Sequence, residues 1–546
     1  MKELLSEGKE LLRKKEYCIA VVVTAVLSYG YLWTHSSMGV DDTCVAKYFA
    51  DGFAPTQGRW TLFLLNKVFH IAEYSPFVID VIGVAFLAAA AVIFCILFQR
   101  LSQGHLHPFA CITFSCVFLS YPLIAEVYVY YLHNGLSLAY MLSALALYVV
   151  FARTGFKRLA AAGIMLAVAF SCYESLAMVY ILGIFCCILL KYIKFGKIKT
   201  NETRAGCLTF GQLIREILIS CVPILIALVV RSLVSGAIMA ILGEQGTIEH
   251  SLLSSLREIF GGDFLGKIRD MATVFGRYYV VNALASFPIA LYWCCVLVLL
   301  VFMAVQIVKN RNGMLALATL GVLISPWLLS LVEMTAEPYR TMQTLAVFCG
   351  FVLMLLVNAM FSAANRKVFR LAAIALLLII VYNQIFLLNK WFYVDYLKYE
   401  EDVDRASKIA YDIEKYATLD KPVVFVGEVQ ESGVVRTYAY LESDSAAFER
   451  ISWAYRLLGM DEPEEYSTEQ NLVWYTIFDW GVDAFDEPGT ELIHFFRYHG
   501  YPLKQADSLM QEQAAEIAEE MSVWPKEGSI LETEEYVIVK LGDEQS

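Results

Sequence analysis

Two adjacent aspartates, Asp41 and Asp42, directly follow the first long apolar run of the chain. Neighbouring carboxylates repel, which raises the proton affinity of one of them. One is then suited to act as a general base, the other to hold a cation or an incoming hydroxyl. The competing reading is a hydrated helix cap. Basic residues suited to a phosphate come next. Arg59 and Lys67 lie eight residues apart, about one helical face, and Arg340 closes the run EMTAEPYR. A guanidinium meets phosphate in a bidentate fork. The alternative is a snorkelling anchor, the reading that suits Lys67 best. A third group fits a sugar. The run EVYVYYLHNG (126–135) gathers Glu126, Tyr130, His133 and Asn134, and CYES (172–175) adds Tyr173 and Glu174. Glu337, three residues before Arg340, supplies a further carboxylate. Rings stack on sugar faces while carboxylates and amides bond the hydroxyls; an interfacial aromatic belt is the plainer alternative. His35 either orients the aspartates or caps its helix. No HExxH or related spacing occurs, so a protein-built zinc site is not expected. No cofactor is demanded; a divalent cation, Mg2+ or Mn2+, would fall to Asp41 or Asp42.

The elements that must position these residues are apolar runs long enough to span a bilayer, which takes about 20 residues each. Eleven are expected, at 17–37, 76–98, 109–129, 135–152, 158–172, 175–191, 216–241, 285–307, 313–332, 341–361 and 368–388. The fifth and sixth are short and share one apolar stretch, which leaves ten or twelve as the alternatives to eleven. The first is not a cleaved signal, since it lacks a small-residue cleavage site. Positive charge orients the set. Lys2, Lys9, Arg13, Lys14 and Lys15 mark the N-terminus as cytoplasmic. Eleven crossings then put Arg100, Lys157, Arg158, Lys191, Lys199, Lys309 and Lys367 on that same side. Asp41, Asp42, Glu126, Glu174, Glu333 and Glu337 all fall at the opposite, external helix ends. Little ionisable charge is expected mid-span, and Asp80 lies near the start of its helix. The stretch 58–70 is amphipathic and suits the membrane interface.

Composition agrees. Of 546 residues, 58% are apolar and 18% charged, against about 25% charged in an ordinary soluble domain. Mean hydropathy is +0.56. A disordered chain, a disulfide scaffold and a nucleic-acid binder are excluded. The 13 cysteines read as small buried hydrophobes. From Asp395 onward the chain holds 34 acidic and 12 basic residues, a net of −22, whereas residues 1–394 carry +10. The division is therefore a membrane domain, 1–394, and a soluble acidic domain, 395–546. In the latter, 422–427 and 536–541 read as buried strands, and 445–460 and 507–521 as helices. The fold class is a polytopic α-helical membrane protein with a C-terminal extracytoplasmic α/β domain.

Four runs resemble a known family: GVDDTCVAKYFADGFAPTQGRWTLFLLNKVFHIAE (39–73), YPLIAEVYVYYLHNG (121–135), SCYES (171–175) and VYNQIFLLNKWFYVDYLKYEEDVDR (381–405). They are similar to the bacterial serotype-converting glucosyltransferases of the Gtr II group, within the membrane-embedded type-C glycosyltransferases. The resemblance covers most of 15–405, and the acidic tail contributes little. It implies a carboxylate in the first external loop, matched by Asp41 and Asp42, and a phosphate-binding base, best matched by Arg340. It further implies an enzyme of the bacterial cytoplasmic membrane that takes a hexose, glucose by the resemblance, from a polyprenyl phosphate. The acceptor is a cell-surface polysaccharide at the outer face, as in O-antigen modification. The partners are then the lipid-linked sugar, the glycan and the bilayer, with no nucleic acid. A surface-polysaccharide polymerase and a lipid-linked-sugar flippase or transporter stay open as alternatives. A lack of midplane charge and of repeats speaks against the transporter.

Overall fold

The computed structural model describes residues 2–39, 42, 53–70, 75–128, 133–193, 208–243, 264–281, 287–308, 312–333, 341–362, 367–429, 432–441, 443–462, 466, 476–480 and 490–542. It is mainly helical. An amphipathic helix α1 (Lys2–Leu12) precedes α2 (Lys15–Thr34), and α3 (Trp60–Phe69) follows the first loop. The bundle continues with α4 (Pro76–Leu101), α5 (Pro108–Leu119), α6 (His133–Ala152), α7 (Lys157–Phe170), α8 (Leu176–Tyr192) and α9 (Phe210–Leu242). It closes with α10 (Phe264–Phe275), α11 (Phe287–Val308), α12 (Gly313–Ile324), α13 (Thr344–Ser362) and α14 (Lys367–Tyr416).

Helices stand at each of the eleven expected positions. Nine among the described residues are long and apolar enough to cross a membrane. The fifth and sixth, α7 and α8, have 14 and 17 residues. At 1.5 Å per residue they span about 21 and 25 Å, short of a hydrocarbon core of about 30 Å. The turn around Tyr173 and Glu174 interrupts the apolar stretch and shortens both. The odd count read from the charge pattern treats both as crossings; length by itself supports nine. The bundle interior is aromatic and close-packed, with Phe94, Phe98, Phe114 and Phe118 in tilted, edge-to-face and parallel ring contacts.

Two ends of the bundle differ in their polar contacts. At one end Arg100 meets Glu7 at 3.0 Å, and Lys191 meets Glu216 at 2.6 Å. The other end receives the C-terminus of α2, the N-terminus of α3 and the turn between α7 and α8. The sequence-derived site residues among the described ones belong to this second end.

The helix α14 has 50 residues, roughly 75 Å, about two and a half times what a bilayer crossing needs. The boundary expected at 394/395 falls inside it. Charge changes sign there, but no Gly or Pro occurs between Lys367 and Tyr416, so nothing stops the helix. Beyond the apolar part a buried stripe continues through Trp391, Asp395, Lys398, Asp402, Ala406, Ile409 and Ile413. Steps of three and four residues keep these on one face. That face packs on a sheet of β1 (Pro422–Val426), β2 (Lys504–Gln505), β3 (Ile530–Glu532) and β4 (Val537–Lys540), in the order β2-β1-β4-β3. β1 runs parallel to β2 and β4, and β3 is antiparallel to β4. Alternation sorts the strands' side chains. Val423, Phe425, Val537 and Val539 share one cluster with Ala406, Ile409 and Ile413; Val424, Val426 and Ile538 share another with Ala514 and Ala518. The strands expected at 422–427 and 536–541 and the helices expected at 445–460 and 507–521 form at Pro422–Val426, Val537–Lys540, Ala446–Leu458 and Ser508–Ala518.

Candidate functional site

The site is built on the loop between α2 and α3. His35 closes α2; its ring stacks on Tyr31 at 4.1 Å and bonds Thr34 at 2.9 Å. Its described partners thus fit the capping reading. The Ser37 hydroxyl donates to the Asp395 carboxylate, whose other oxygen takes the Lys398 ammonium at 2.8 Å. Met38 is buried. The Gly39 amide donates to Asp42 Oδ2 at 2.7 Å, and the Asp42 amide donates back to the Gly39 carbonyl at 3.1 Å. Asp42 is buried. Asp41 lies outside the described residues.

The loop returns to α3 through a cation cluster. Arg231, buried in α9, donates from Nε to the Gly58 carbonyl at 3.2 Å and from Nη2 to the Gln57 carbonyl at 2.9 Å. The same Nη2 also pairs with the Glu174 carboxylate. The other Glu174 oxygen faces Arg59 Nη2 at 3.8 Å, and the Arg59 guanidinium lies 5.9 Å from the Tyr173 ring centroid. Gly58 has φ +76°, and a Cβ there would run into the Arg231 guanidinium, so both conformation and space demand glycine. One turn further along α9, Ser235 donates to the Pro55 carbonyl. Thr61 on α3 donates to the Val168 carbonyl at 3.2 Å and bonds Ser171, tying α3 to the end of α7. Among the described residues, two guanidiniums thus share this carboxylate, and Arg59 and Glu174 keep about a third of their side chains exposed. Guanidiniums are the side chains that fork onto a phosphate.

Arg59, Tyr173 and Glu174 therefore come together, although spacing had put them in separate phosphate and sugar groups. Glu126 is buried at the same end, where the neighbouring Tyr128 hydroxyl bonds Ser137 at 2.6 Å. Lys67 does not join the cluster. It is exposed on the last turn of α3 with its ammonium 5.4 Å from the Phe63 ring, which fits an anchor. His133 and Asn134 stand in the first turn of α6. Tyr130, Glu337 and Arg340 lie outside the described residues, as does the direct neighbour of Asp42. Among the described residues, no group of three His, Cys, Asp or Glu side chains is placed to hold a metal.

Three functional candidates were missed. The expectation of little midplane charge overlooked Arg231, the lone basic residue in the apolar run of span 216–241. An intramembrane cation is itself a signal. Arg231 is nevertheless not a midplane charge. It lies 21 residues from the start of α9, about 32 Å, hence one bilayer thickness along the helix. Asp395 and Lys398 were assigned to a solvated domain; their i,i+3 spacing on a helix was the available sign.

The family model described as glucosyl transferase GtrII matches residues 30–357, more than half of the chain. Neither a curated protein nor a solved structure matches. The matched span includes the two aspartates, Arg59, Tyr173, Glu174 and Arg231, and stops short of Asp395.

Proposed function

The chain belongs to the GtrII glucosyl transferase family, and from that premise we propose that it moves glucose from a polyprenyl-phosphate donor to a cell-surface polysaccharide. The transfer takes place at the outer face of the bacterial cytoplasmic membrane, with the N-terminus cytoplasmic and the C-terminal domain extracytoplasmic. The observation that carries this reading is the Arg59–Glu174–Arg231 cluster, which holds the end of the loop that also carries the buried Asp42, at one end of an apolar bundle.

The chemistry follows from those groups. An acceptor hydroxyl is a weak nucleophile. One carboxylate of the Asp41–Asp42 pair takes its proton as the oxygen attacks the anomeric carbon. Charge builds up on the ring oxygen and anomeric carbon, as in glycoside hydrolysis. The bond to the lipid phosphate breaks as the new bond forms, so a single displacement inverts the anomeric centre. The departing phosphate is already a good acid and needs charge stabilisation more than a proton. Arg59 and Arg231 supply it, together with Arg340. Tyr173 and Glu126, with Tyr130, His133, Asn134 and Glu337, are the groups available to stack on and bond the sugar. The polyprenyl chain lies between apolar helices.

The test is donor choice. Purified protein is offered polyprenyl phosphate carrying labelled glucose or a nucleotide-linked glucose, each with surface glycan. Label leaving only the lipid donor, with inverted configuration in the product, supports the reading. Consumption of the nucleotide donor, or of neither, overturns it.

A further inference from the structure

Ser37 and Met38 are held by the far end of the chain. The Ser37 hydroxyl donates to Asp395, 358 residues away. Asp395 and Lys398 are both buried, their side chains 3% and 5% exposed. A buried carboxylate is tolerated only when its oxygens are bonded. Here one oxygen holds Lys398 and the other Ser37, so the position of Ser37 is part of what makes the pair tolerable. Met38 follows directly. Its side chain is a member of the apolar cluster that includes Ala406, Ile409, Phe425, Phe496 and Val537, from α14, β1, β4 and helix Thr490–Tyr498. It is the one contribution to that cluster from before α14 among the described residues. Gly39 comes next, with its amide on the Asp42 carboxylate. Three consecutive residues therefore link the C-terminal α/β segment to Asp42. None of the residues that receive Ser37 and Met38 lies within the 30–357 span shared with the family.

We propose that Asp395 and Met38 are positioning residues for the transfer: through Ser37 and Gly39 the C-terminal segment holds Asp42 in register. The inference rests on the reading of Asp41 and Asp42 as the site of proton removal. It assigns the acidic tail a mechanical task that needs no contact with donor or acceptor. A loop that carries a base must be held to a fraction of an ångström for the base to work, because a small misplacement reduces rate far more than binding. The tail supplies that hold from a sheet and a long helix, both more rigid than the loop itself.

The test uses the full-length protein in lipid nanodiscs with polyprenyl-phosphate glucose as donor. Met38→Ala and Asp395→Asn are expected to lower kcat at least tenfold while the donor KM changes less than twofold; Met38→Leu, which refills the cluster, is expected to restore most of the rate. General destabilisation also lowers apparent kcat at constant KM, by reducing the active fraction. Rates are therefore referred to the concentration of donor-binding protein in each sample and measured at low temperature, where a merely destabilised variant recovers its rate. Should either variant fail to fold, Ser37→Ala decides. It removes one hydroxyl and leaves the Asp395–Lys398 pair, and is expected to speed hydrogen exchange at the Gly39 amide and to lower kcat. Unchanged kcat in Met38→Ala, Asp395→Asn or Ser37→Ala, alongside loss of activity in Asp41→Asn or Asp42→Asn, overturns the inference and leaves the transferase reading intact. Full activity in both aspartate variants overturns the reading on which it rests.

Discussion

Replacing Arg231 by methionine keeps the length and apolar stem of the side chain and removes the guanidinium. Three contacts go with it: those to the Gly58 carbonyl at 3.2 Å, the Gln57 carbonyl at 2.9 Å and the Glu174 carboxylate. Removing one partner of a buried ion pair destabilises by about 3–5 kcal/mol, most of it the desolvation of what is left behind. Glu174 retains a third of its exposure, so water screens part of that loss and the lower end applies, about 3 kcal/mol. Pairing Arg231→Met with Glu174→Gln should recover part of it, since the orphaned charge is then gone. A coupling of about 1–2 kcal/mol is expected. The 3.8 Å, part-exposed contact that Arg59→Gln removes from Glu174 is itself worth less than about 1 kcal/mol. Detergent-solubilised protein is heated at a fixed scan rate and followed by tryptophan fluorescence and by recovery of the monodisperse species. Fixed conditions matter because unfolding of such a protein is a rate as much as an equilibrium. An Arg231→Met melting profile equal to that of the unaltered protein, or strict additivity with Glu174→Gln, would refute the argument that this cation holds the loop.

Asp402 gives a pH signature. Burial pushes its carboxyl up to about 7, against the opposing influence of the Ile477 amide and of Arg405. Between about pH 4 and 7 the folded state then holds a proton that the unfolded state has released, so the stability Asp402 contributes falls as pH rises through that window and is flat above it. Three pH units correspond to roughly 4 kcal/mol at most. Asp402→Asn cannot titrate and still accepts from Ile477; the difference in melting temperature between the two proteins should therefore change steadily from pH 4.5 to 7, and parallel curves would count against it. On α3, Lys67→Gln should leave the donor KM within about twofold, whereas Arg59→Gln should raise it several-fold; steady-state kinetics with the lipid donor separates them.

Apolar runs and alternating strands were legible because each states its own burial. The eleven helical positions and the strands at Pro422–Val426 and Val537–Lys540 follow from local pattern. What the pattern could not show is pairing across long separations. Glu174 was visible as a carboxylate at a helix end, but nothing local says that it joins Arg59 and Arg231, or that Arg231 also holds two carbonyls of the loop. Asp395 sits where composition turns acidic, which hides a buried pair among solvated charges. The boundary at 394/395 was drawn from that same shift in charge, yet the backbone of α14 continues through it because helix propensity does not change there. Lys67 shows the converse: spacing put it on one face with Arg59, but Arg59 stands before the first residue of α3, outside the helix that carries Lys67.

The central claim is that a carboxylate of the Asp41–Asp42 pair removes the acceptor's proton while the lipid phosphate departs. Single-turnover release of labelled glucose from polyprenyl phosphate to surface glycan tests it directly, in the unaltered protein and in Asp41→Asn and Asp42→Asn. The account predicts that one substitution abolishes release to glycan while the donor still binds. Equal release from all three proteins, or release from none under any lipid-linked hexose, would contradict it.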